Sequence, residues 1–231
     1  MIDGIDGSGK STIIEAWKKN LTDNGKKIFD LKKYFLDNNR YPEMSDWIDC
    51  DIIFSAEPTH AGIGKILRDE LINTKNNYSA TTIAEAHSLD RAILYTKVII
   101  PALKNNKIIV QDRGLSTSLA YQPSQNSELT LSKVANYAGN QIAAQYRPDH
   151  LVLMDIDPNL SFDRLTSRFE KVDNAIFEKK DFLIKASKKY NDEEFKNFFE
   201  NIGTQIHHLS GEEKIDIMKA QAISWLINIL K

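Results

Sequence analysis

The sequence predicts an α/β protein with three layers, in which helices cover both faces of a parallel β-sheet. Short apolar segments alternate along the chain with longer segments of helical periodicity, as parallel sheets require. A glycine-rich turn also opens the first helical segment. At 231 residues the chain can bury a core without disulfide bonds or structural metal, and its length fits one domain. We therefore expect a single domain over residues 1–231.

Five segments have the composition of strands in such a sheet, rich in apolar and β-branched residues. They are residues 27–35, 51–55, 107–111, 150–156 and 205–209. The segment 36–50 is polar, contains a proline and lacks clear periodicity, so we expect a loop insertion there. These patterns predict a parallel sheet of five strands.

Helical periodicity and punctuation residues predict the main helices. A long helix is expected from residue 80 to about 105, kinked or frayed at Pro101. Asp157 and Pro158 supply an N-cap and a first-turn proline for the helix after the fourth strand. An amphipathic helix is expected from about residue 214 to the end.

Composition restricts the classes of partner. The formal net charge of -2 and the pI of about 6.2 give no electrostatic reason to expect a nucleic-acid polymer or a membrane surface as partner. No apolar run approaches the roughly 18 residues that a membrane span needs, and the N-terminus does not resemble a signal peptide. Cys50 is the single cysteine, which suits a reducing compartment. We expect a cytoplasmic protein that binds small molecules.

Residues 4–11, GIDGSGKS, match the phosphate-binding pattern G-x-x-x-x-G-K-[ST] at the start of a helix. Glycines let backbone amides turn toward phosphate, and the helix N-terminus adds further N–H donors and a positive dipole end. Lys10 supplies a cation for the phosphates, and the Ser11 hydroxyl can ligate Mg²⁺. The alternative is a glycine turn with an incidental lysine. The predicted ATP-binding residues are Gly4, Ile5, Asp6, Gly7, Ser8, Gly9, Lys10, Ser11 and Thr12.

The segment before this P-loop is short. A P-loop normally follows a buried strand, yet only three residues precede Gly4. We expect either a very short first strand or a trimmed chain start, with reduced stability if Met1 is the true N-terminus.

Several segments together resemble the thymidylate kinase family. Asp112-Arg113 and the following GLSTSLAYQ resemble its DR(Y/H)xxSSxAYQ segment, and residues 148–168 resemble its PDLTxxLDVDPxxxxxR block. Residues 56–59, 66–68 and 87–91 resemble its EP loop, the arginine after it and its FxxxR helix. These resemblances run in order along most of the chain. They imply a P-loop NTPase fold with a short helical lid at about residues 164–178, and ATP-dependent phosphorylation of a nucleoside monophosphate.

The resemblance assigns roles near the transferred phosphoryl group. Asp112, at the end of a strand, would bind the hydrated Mg²⁺ ion together with Ser11. The alternative is that Asp112 only caps a turn. Arg113 would hold the acceptor phosphate, unless it forms a structural ion pair. Arg164 and Arg168, with Lys171 beyond them, would be lid cations that neutralise charge, or else a solvated helix face. The predicted catalytic residues are Lys10, Asp112, Arg113, Arg164 and Arg168.

The acceptor site follows from the same resemblance. The predicted acceptor-binding residues are Asp6, Glu57, Arg68, His87, Arg91, Arg113, Ser118, Tyr121 and Gln122. His87 would stack on the base where the family has Phe, so base preference stays open. Arg91 would bond a base carbonyl, and Tyr121 would exclude a ribose 2′-hydroxyl. The alternatives are an exposed histidine and helix packing for the tyrosine.

The predicted reaction is transfer of the γ-phosphoryl group of ATP to dTMP, with Mg²⁺ as cofactor. A kinase for another nucleotide or nucleoside is the nearer alternative. A P-loop switch protein is a more distant one, because the guanine-reading NKxD segment is absent from the sequence. The resemblance further implies a homodimer.

Overall fold

A parallel β-sheet forms the centre of the computed structural model, which describes residues 1–167, 177 and 179–230. Within these residues the sheet has six strands in the order β2-β3-β4-β1-β5-β6. They are β1 (Ile2–Asp3), β2 (Ile28–Asp30), β3 (Ile52–Ala56), β4 (Ile108–Asp112), β5 (His150–Asp155) and β6 (Gln205–Ser210). The α/β architecture is confirmed, but the prediction of five strands is wrong, because the segment before the P-loop adds a sixth.

Strand β1 has two residues and lies at the centre of the sheet. Ile2 pairs with Asp112 of β4 and with Val152 of β5, and Asp3 pairs with Leu153. This pairing places the P-loop directly beyond the centre of the sheet. Ligand sites of open α/β sheets lie beyond the carboxyl ends of the strands.

The helices cover both faces of the sheet. They are α1 (Lys10–Asp23), α2 (Leu31–Asn38), α3 (Met44–Trp47), α4 (Gly62–Ile66), α5 (Ala80–Leu94), α6 (Ile100–Lys104), α7 (Leu115–Gln125), α8 (Leu131–Ala135), α9 (Ala138–Gln145), α10 (Pro158–Thr166), α11 (Lys180–Tyr190), α12 (Glu193–Asn201) and α13 (Ile215–Ile229). Helices α1 and α13 pack on one face, and the core on the other face includes α2, α5, α7, α9, α11 and α12. None of the helices in the described residues is long and apolar enough to cross a bilayer.

Two local predictions were wrong between residues 27 and 50. The strand ends at Asp30, whose side chain caps α2 by accepting a hydrogen bond from the Lys33 N–H. Leu31 and Phe35 then lie one helical turn apart on a buried face, so their spacing fits a helix as well as a strand. The expected loop insertion contains α3, which buries Trp47 in the core.

The long helix after residue 80 is confirmed. Helix α5 continues through a π-helical turn (Tyr95–Ile99) into α6 and ends at Lys104. Pro101 directly follows the π-helical turn as the second residue of α6, and the helix continues past it. The N-cap of α10 is also confirmed, since Asp157 accepts hydrogen bonds from the N–H groups of Asn159 and Leu160.

Candidate functional site

A cavity of about 630 Å³ lies beyond the carboxyl ends of β1, β3 and β4. Its walls come from the P-loop, the β3–α4 loop, α5 and α7. The predicted site residues that line it are Asp6, Gly7, Gly9, Lys10, Ser11, Thr12, Glu57, Arg68, His87, Asp112, Arg113, Tyr121 and Gln122. The fold therefore brings residues from distant parts of the chain to one site.

The P-loop has the backbone geometry that its glycines permit. Gly4 and Gly7 have φ values of 139° and 82°, and a Cβ on Gly7 would lie 2.6 Å from the Ser161 carbonyl oxygen. Lys10 begins α1, and its Nζ donates to the carbonyl oxygens of Gly4 at 3.0 Å and Ile5 at 2.8 Å. Burial lowers the pKa of the Lys10 amine to about 8. A phosphate group in the cavity would favour its charged form.

Oxygen atoms suited to a magnesium ion are present at the same site. One carboxylate oxygen of Asp112, Oδ1, is buried and has no hydrogen-bond partner among the described residues. Burial raises the pKa of Asp112, as expected for a buried carboxyl that lacks a full set of partners. The exposed Ser11 lies on the cavity wall. Mg²⁺ commonly uses one or two protein oxygens together with water and phosphate, so these residues fit that ion.

Arg113 lies between the P-loop and α7 in a strained backbone conformation. Its φ of 66° is in the left-handed region, which non-glycine residues rarely adopt. Its guanidinium donates to Asp6 at 2.5 Å and to Asp3 at 3.3 Å, and lies 5.3 Å from the centre of the Tyr121 ring. Burial alone would raise the pKa of Asp6, but Arg113 and Lys10 lower it below its ordinary value. Arg113 thus forms the structural ion pairs that were the alternative to a role in acceptor binding.

Sequence reasoning missed two residues that contact Arg113 or its partners. Asp3 is fully buried and pairs with Arg113, while Tyr190 donates to Asp3 at 2.8 Å. Asp3 belongs to no motif that the sequence shows, because it lies outside the P-loop consensus of residues 4–11. Tyr190 lies far from residue 3 along the chain, and the sequence does not indicate this contact.

Glu57 and Arg91 form a buried ion pair with an Nη2–Oε2 distance of 2.6 Å. Gln111 donates to the other Glu57 oxygen at 2.7 Å, and Arg91 also bonds Asn140 of α9. Burial raises the pKa of Glu57, and Arg91 opposes the shift by favouring the ionised form. Glu57 lines the cavity, whereas Arg91 lies behind the wall with 1% of its surface exposed.

His87 lies on the cavity wall with 8% of its surface exposed. The alternative of an exposed helical histidine is therefore wrong. Burial, together with the positive charges of Arg91, Arg68 and Arg113, lowers the pKa of its imidazole to about 3. The ring is consequently neutral near pH 7 and can stack or exchange hydrogen bonds without carrying charge.

Helix α7 supplies three of the predicted acceptor residues. The Tyr121 hydroxyl donates to Asp6 at 3.1 Å, and its ring packs edge-on against Phe177 and Phe182. Gln122 lines the cavity, and its Oε1 atom is buried without a hydrogen-bond partner in the part of the chain that the structure describes. Ser118 is buried in α7 and is not among the described residues that line the cavity.

The remaining predicted cations have different placements. Arg68 lies at the cavity and donates to the Pro58 and Thr59 carbonyl oxygens. Arg164 donates to the Gly211 carbonyl oxygen at 2.7 Å and is not among the residues that line the cavity in the described part of the chain. Arg168 and Lys171 lie outside the described residues.

The comparisons with known proteins agree on one family. The family model described as thymidylate kinase matches residues 44–219. The chain is 32% identical over 183 residues to a thymidylate kinase of Finegoldia magna, with 77% of each chain covered. It is 28% identical over 192 residues to one of Clostridium novyi, covering 82% of this chain and 80% of that one. A probable thymidylate kinase of Pyrococcus abyssi is 29% identical over 173 residues, covering 73% and 69%.

Proposed function

Because this chain belongs to the thymidylate kinase family, we propose that it transfers the γ-phosphoryl group of ATP to dTMP, giving dTDP and ADP. The observation that carries the proposal is the single cavity that joins Lys10 of the P-loop to Arg113. A phosphate donor site and a cation suited to an acceptor phosphate thereby face the same space. Such transfer relies on in-line positioning and charge stabilisation rather than a covalent intermediate.

On the donor side, the P-loop amides and the N-terminus of α1 bind the ATP phosphates. Lys10 exchanges its contacts with the Gly4 and Ile5 carbonyl oxygens for phosphate oxygens. Ser11 and Asp112 would hold Mg²⁺, which supplies positive charge that stabilises the transferring phosphoryl group. The unpartnered Asp112 Oδ1 supports this assignment. Arg164 and Arg168 are assigned to the lid as additional cations.

On the acceptor side, Arg113 binds the phosphate of the nucleoside monophosphate. Its two terminal nitrogens form a fork that suits bidentate phosphate binding. Asp6, now paired with Arg113, then becomes available for the sugar hydroxyl, and Tyr121 borders the sugar. Arg68 contributes positive charge beside the acceptor phosphate.

The base is bound between His87 and Gln122. His87 contributes a flat neutral ring, and the unpartnered Gln122 Oε1 can accept a hydrogen bond from the N3–H of thymine or uracil. Glu57 and Arg91 support this wall, and Ser118 packs α7 beneath it. Because the ring is an imidazole rather than a phenyl group, other deoxynucleoside monophosphates are the alternative acceptors.

The test is ADP formation with ATP and Mg²⁺ across dTMP, dUMP, dCMP, dGMP, dAMP, UMP and thymidine. We expect dTMP to be the preferred acceptor and UMP to be poor compared with dUMP. A different preferred acceptor would change the proposed substrate but leave the proposed kinase mechanism unchanged. ADP release that does not depend on any acceptor would contradict the kinase proposal.

We further infer a homodimer in the cytoplasm, on the family resemblance and composition alone. Light scattering at several protein concentrations measures the oligomeric state. A mass of about one chain throughout would contradict the dimer.

A further inference from the structure

Asp3 is an unusual residue for the centre of a sheet, because its charged side chain is fully buried beside apolar strands. Five donors surround its carboxylate. They are the Gly4 N–H, the Arg113 guanidinium and the hydroxyls of Ser116, Thr117 and Tyr190. A buried charge is expensive unless it is fully paired, so this degree of pairing keeps an ionised carboxylate in the core.

The two oxygens of Asp3 have different partners. Oδ1 accepts from Gly4, Arg113 and Tyr190 at 2.8, 3.3 and 2.8 Å. Oδ2 accepts from the hydroxyls at the start of α7, with Thr117 at 2.7 Å. Oδ1 contacts the Arg113 guanidinium directly, whereas Oδ2 reaches it only through Thr117, which lines the cavity and accepts from Arg113 at 3.5 Å. The Ser116 hydroxyl, which is buried and does not line the cavity in the described part of the chain, provides a comparison on Oδ2.

Asp3 and Asp6 pair with different terminal nitrogens of Arg113, Nη1 and Nη2, and they differ in accessibility. The Asp6 side chain keeps 29% of its surface exposed, whereas that of Asp3 has 0%. An acceptor phosphate entering the cavity can therefore replace Asp6 as the partner of Arg113, but it cannot reach Asp3. The Asp3 carboxylate remains in contact with the guanidinium throughout that exchange.

Building on the proposed function, we propose that Asp3 is a positioning residue that keeps Arg113 aimed at the acceptor phosphate. It also joins Arg113 to helix α11 through Tyr190. Tyr190 shares Oδ1 with Arg113, and its ring lies 6.3 Å from that of Tyr121, on which the guanidinium rests. Tyr190 thereby connects helix α11 to the carboxylate that positions Arg113.

Asp3→Asn tests the role of the charge with little change of shape. The asparagine amide oxygen is expected to take the place of Oδ1, where all the contacts are donors. The NH₂ group then takes the place of Oδ2, because the Ser116 and Thr117 hydroxyls can rotate and accept hydrogen bonds from it. The variant thus removes the charge from Arg113 and keeps most hydrogen bonds. We expect the KM for dTMP to rise about tenfold, the loss typical of a charged hydrogen bond, with the KM for ATP changed less than about twofold.

Tyr190→Phe and Ser116→Ala form a matched pair, because each removes one hydroxyl donor from the same carboxylate. Tyr190→Phe acts on Oδ1, and we expect it to raise the KM for dTMP about fivefold. Ser116→Ala acts on Oδ2, and we expect it to lower the thermal midpoint while both KM values stay within about twofold. If Asp3→Asn does not fold, this pair alone decides the proposal.

Equal effects of the matched pair on the KM for dTMP would overturn the proposal, as would an Asp3→Asn variant that loses stability alone. Wild-type turnover of dTMP tests the proposed function separately. If the wild type prefers another acceptor, the comparison uses that acceptor. If it phosphorylates none, binding of inorganic phosphate to the same variants is measured by calorimetry. There Asp3→Asn is expected to weaken phosphate binding about tenfold, and unchanged binding would contradict the proposal.

Discussion

Glu57 and Arg91 are joined by a buried ion pair of 2.6 Å that connects the β3–α4 loop to helix α5. Asn140 on α9 holds the other side of the guanidinium. This pair fixes the helix that carries His87 against the wall that carries Glu57. The geometry of the acceptor side thus depends on a contact that lies behind the cavity.

Arg91→Met should destabilise the protein by about 3–5 kcal/mol, because it leaves the Glu57 carboxylate buried without its cation. The free energy of unfolding in urea measures this effect. The exposed pair of Lys19 and Asp23 provides the control, and Lys19→Met should have little effect. The double variant Arg91→Met with Glu57→Leu should lose less stability than the sum of the single changes. Additive losses would show that the two side chains are not coupled.

Lys10→Ala should lower kcat by about 100-fold or more, the scale expected when a preorganised charge near the reacting phosphoryl group is removed. Lys19, exposed on the same helix, is the matched position, and Lys19→Ala should retain wild-type turnover. Steady-state ADP formation with saturating ATP and acceptor gives both values. Near wild-type turnover of Lys10→Ala would remove this residue from the mechanism.

The KM for ATP should rise with pH above about 8. Burial holds the pKa of Lys10 at about 8 in the free protein, and ATP phosphates favour the protonated amine. Above that pH, ATP binding must be accompanied by proton uptake, so affinity falls by up to about tenfold per pH unit. Lys10→Arg keeps its charge at these pH values and should lose the dependence. A KM that stays constant up to pH 10 would contradict the low pKa.

His87 should make the protein sensitive to acid. Its folded pKa of about 3 lies below the unfolded value of 6.5. Between these two pH values the unfolded chain binds more protons than the folded protein. The free energy of unfolding therefore decreases as pH falls below 6.5. At about pH 5 the loss is about 2 kcal/mol.

We therefore expect His87→Phe to reduce, by about 2 kcal/mol, the stability difference between neutral and acidic solution. Urea unfolding at about pH 7.5 and about pH 5 measures it. His208 lies at the surface beside Asp155, and His208→Gln serves as the control for replacing a histidine outside the cavity. An unchanged acid sensitivity in His87→Phe would mean that other groups cause it.

Gly139→Ala should destabilise the contact between α5 and α9 by about 3 kcal/mol or more. A Cβ at residue 139 would lie 1.8 Å from the Ser88 carbonyl oxygen, and a backbone atom cannot move aside without shifting α5. Gly25→Ala meets no atom within 4 Å and should lose only about 1–2 kcal/mol, through its φ of 79°. Thermal and urea unfolding compare the two. Equal losses would contradict the close approach of the helices.

The sequence predicted the features that depend on local chemistry. The P-loop pattern identified Lys10 and Ser11, because phosphate binding needs a fixed order of glycines, a cation and a hydroxyl. Asp112 and Arg113 were identified through the resemblance of their segment to a thymidylate kinase motif, and Asp112 is the last residue of β4. Local pattern was insufficient at Leu31 and Phe35, whose spacing suits both helix and strand until the Asp30 cap ends the strand.

The contacts of charged groups were decided by tertiary structure alone. Nothing near residue 3 indicates that Asp3 meets Tyr190, which lies 187 positions away. The family resemblance implies that Arg91 contacts the base, yet Arg91 forms a buried ion pair with Glu57 from another loop. Local composition was enough to predict the chemical groups of the P-loop and the alternation of strands and helices. Which charges pair and which face the cavity follows from folding, because burial and distance arise when remote segments pack together.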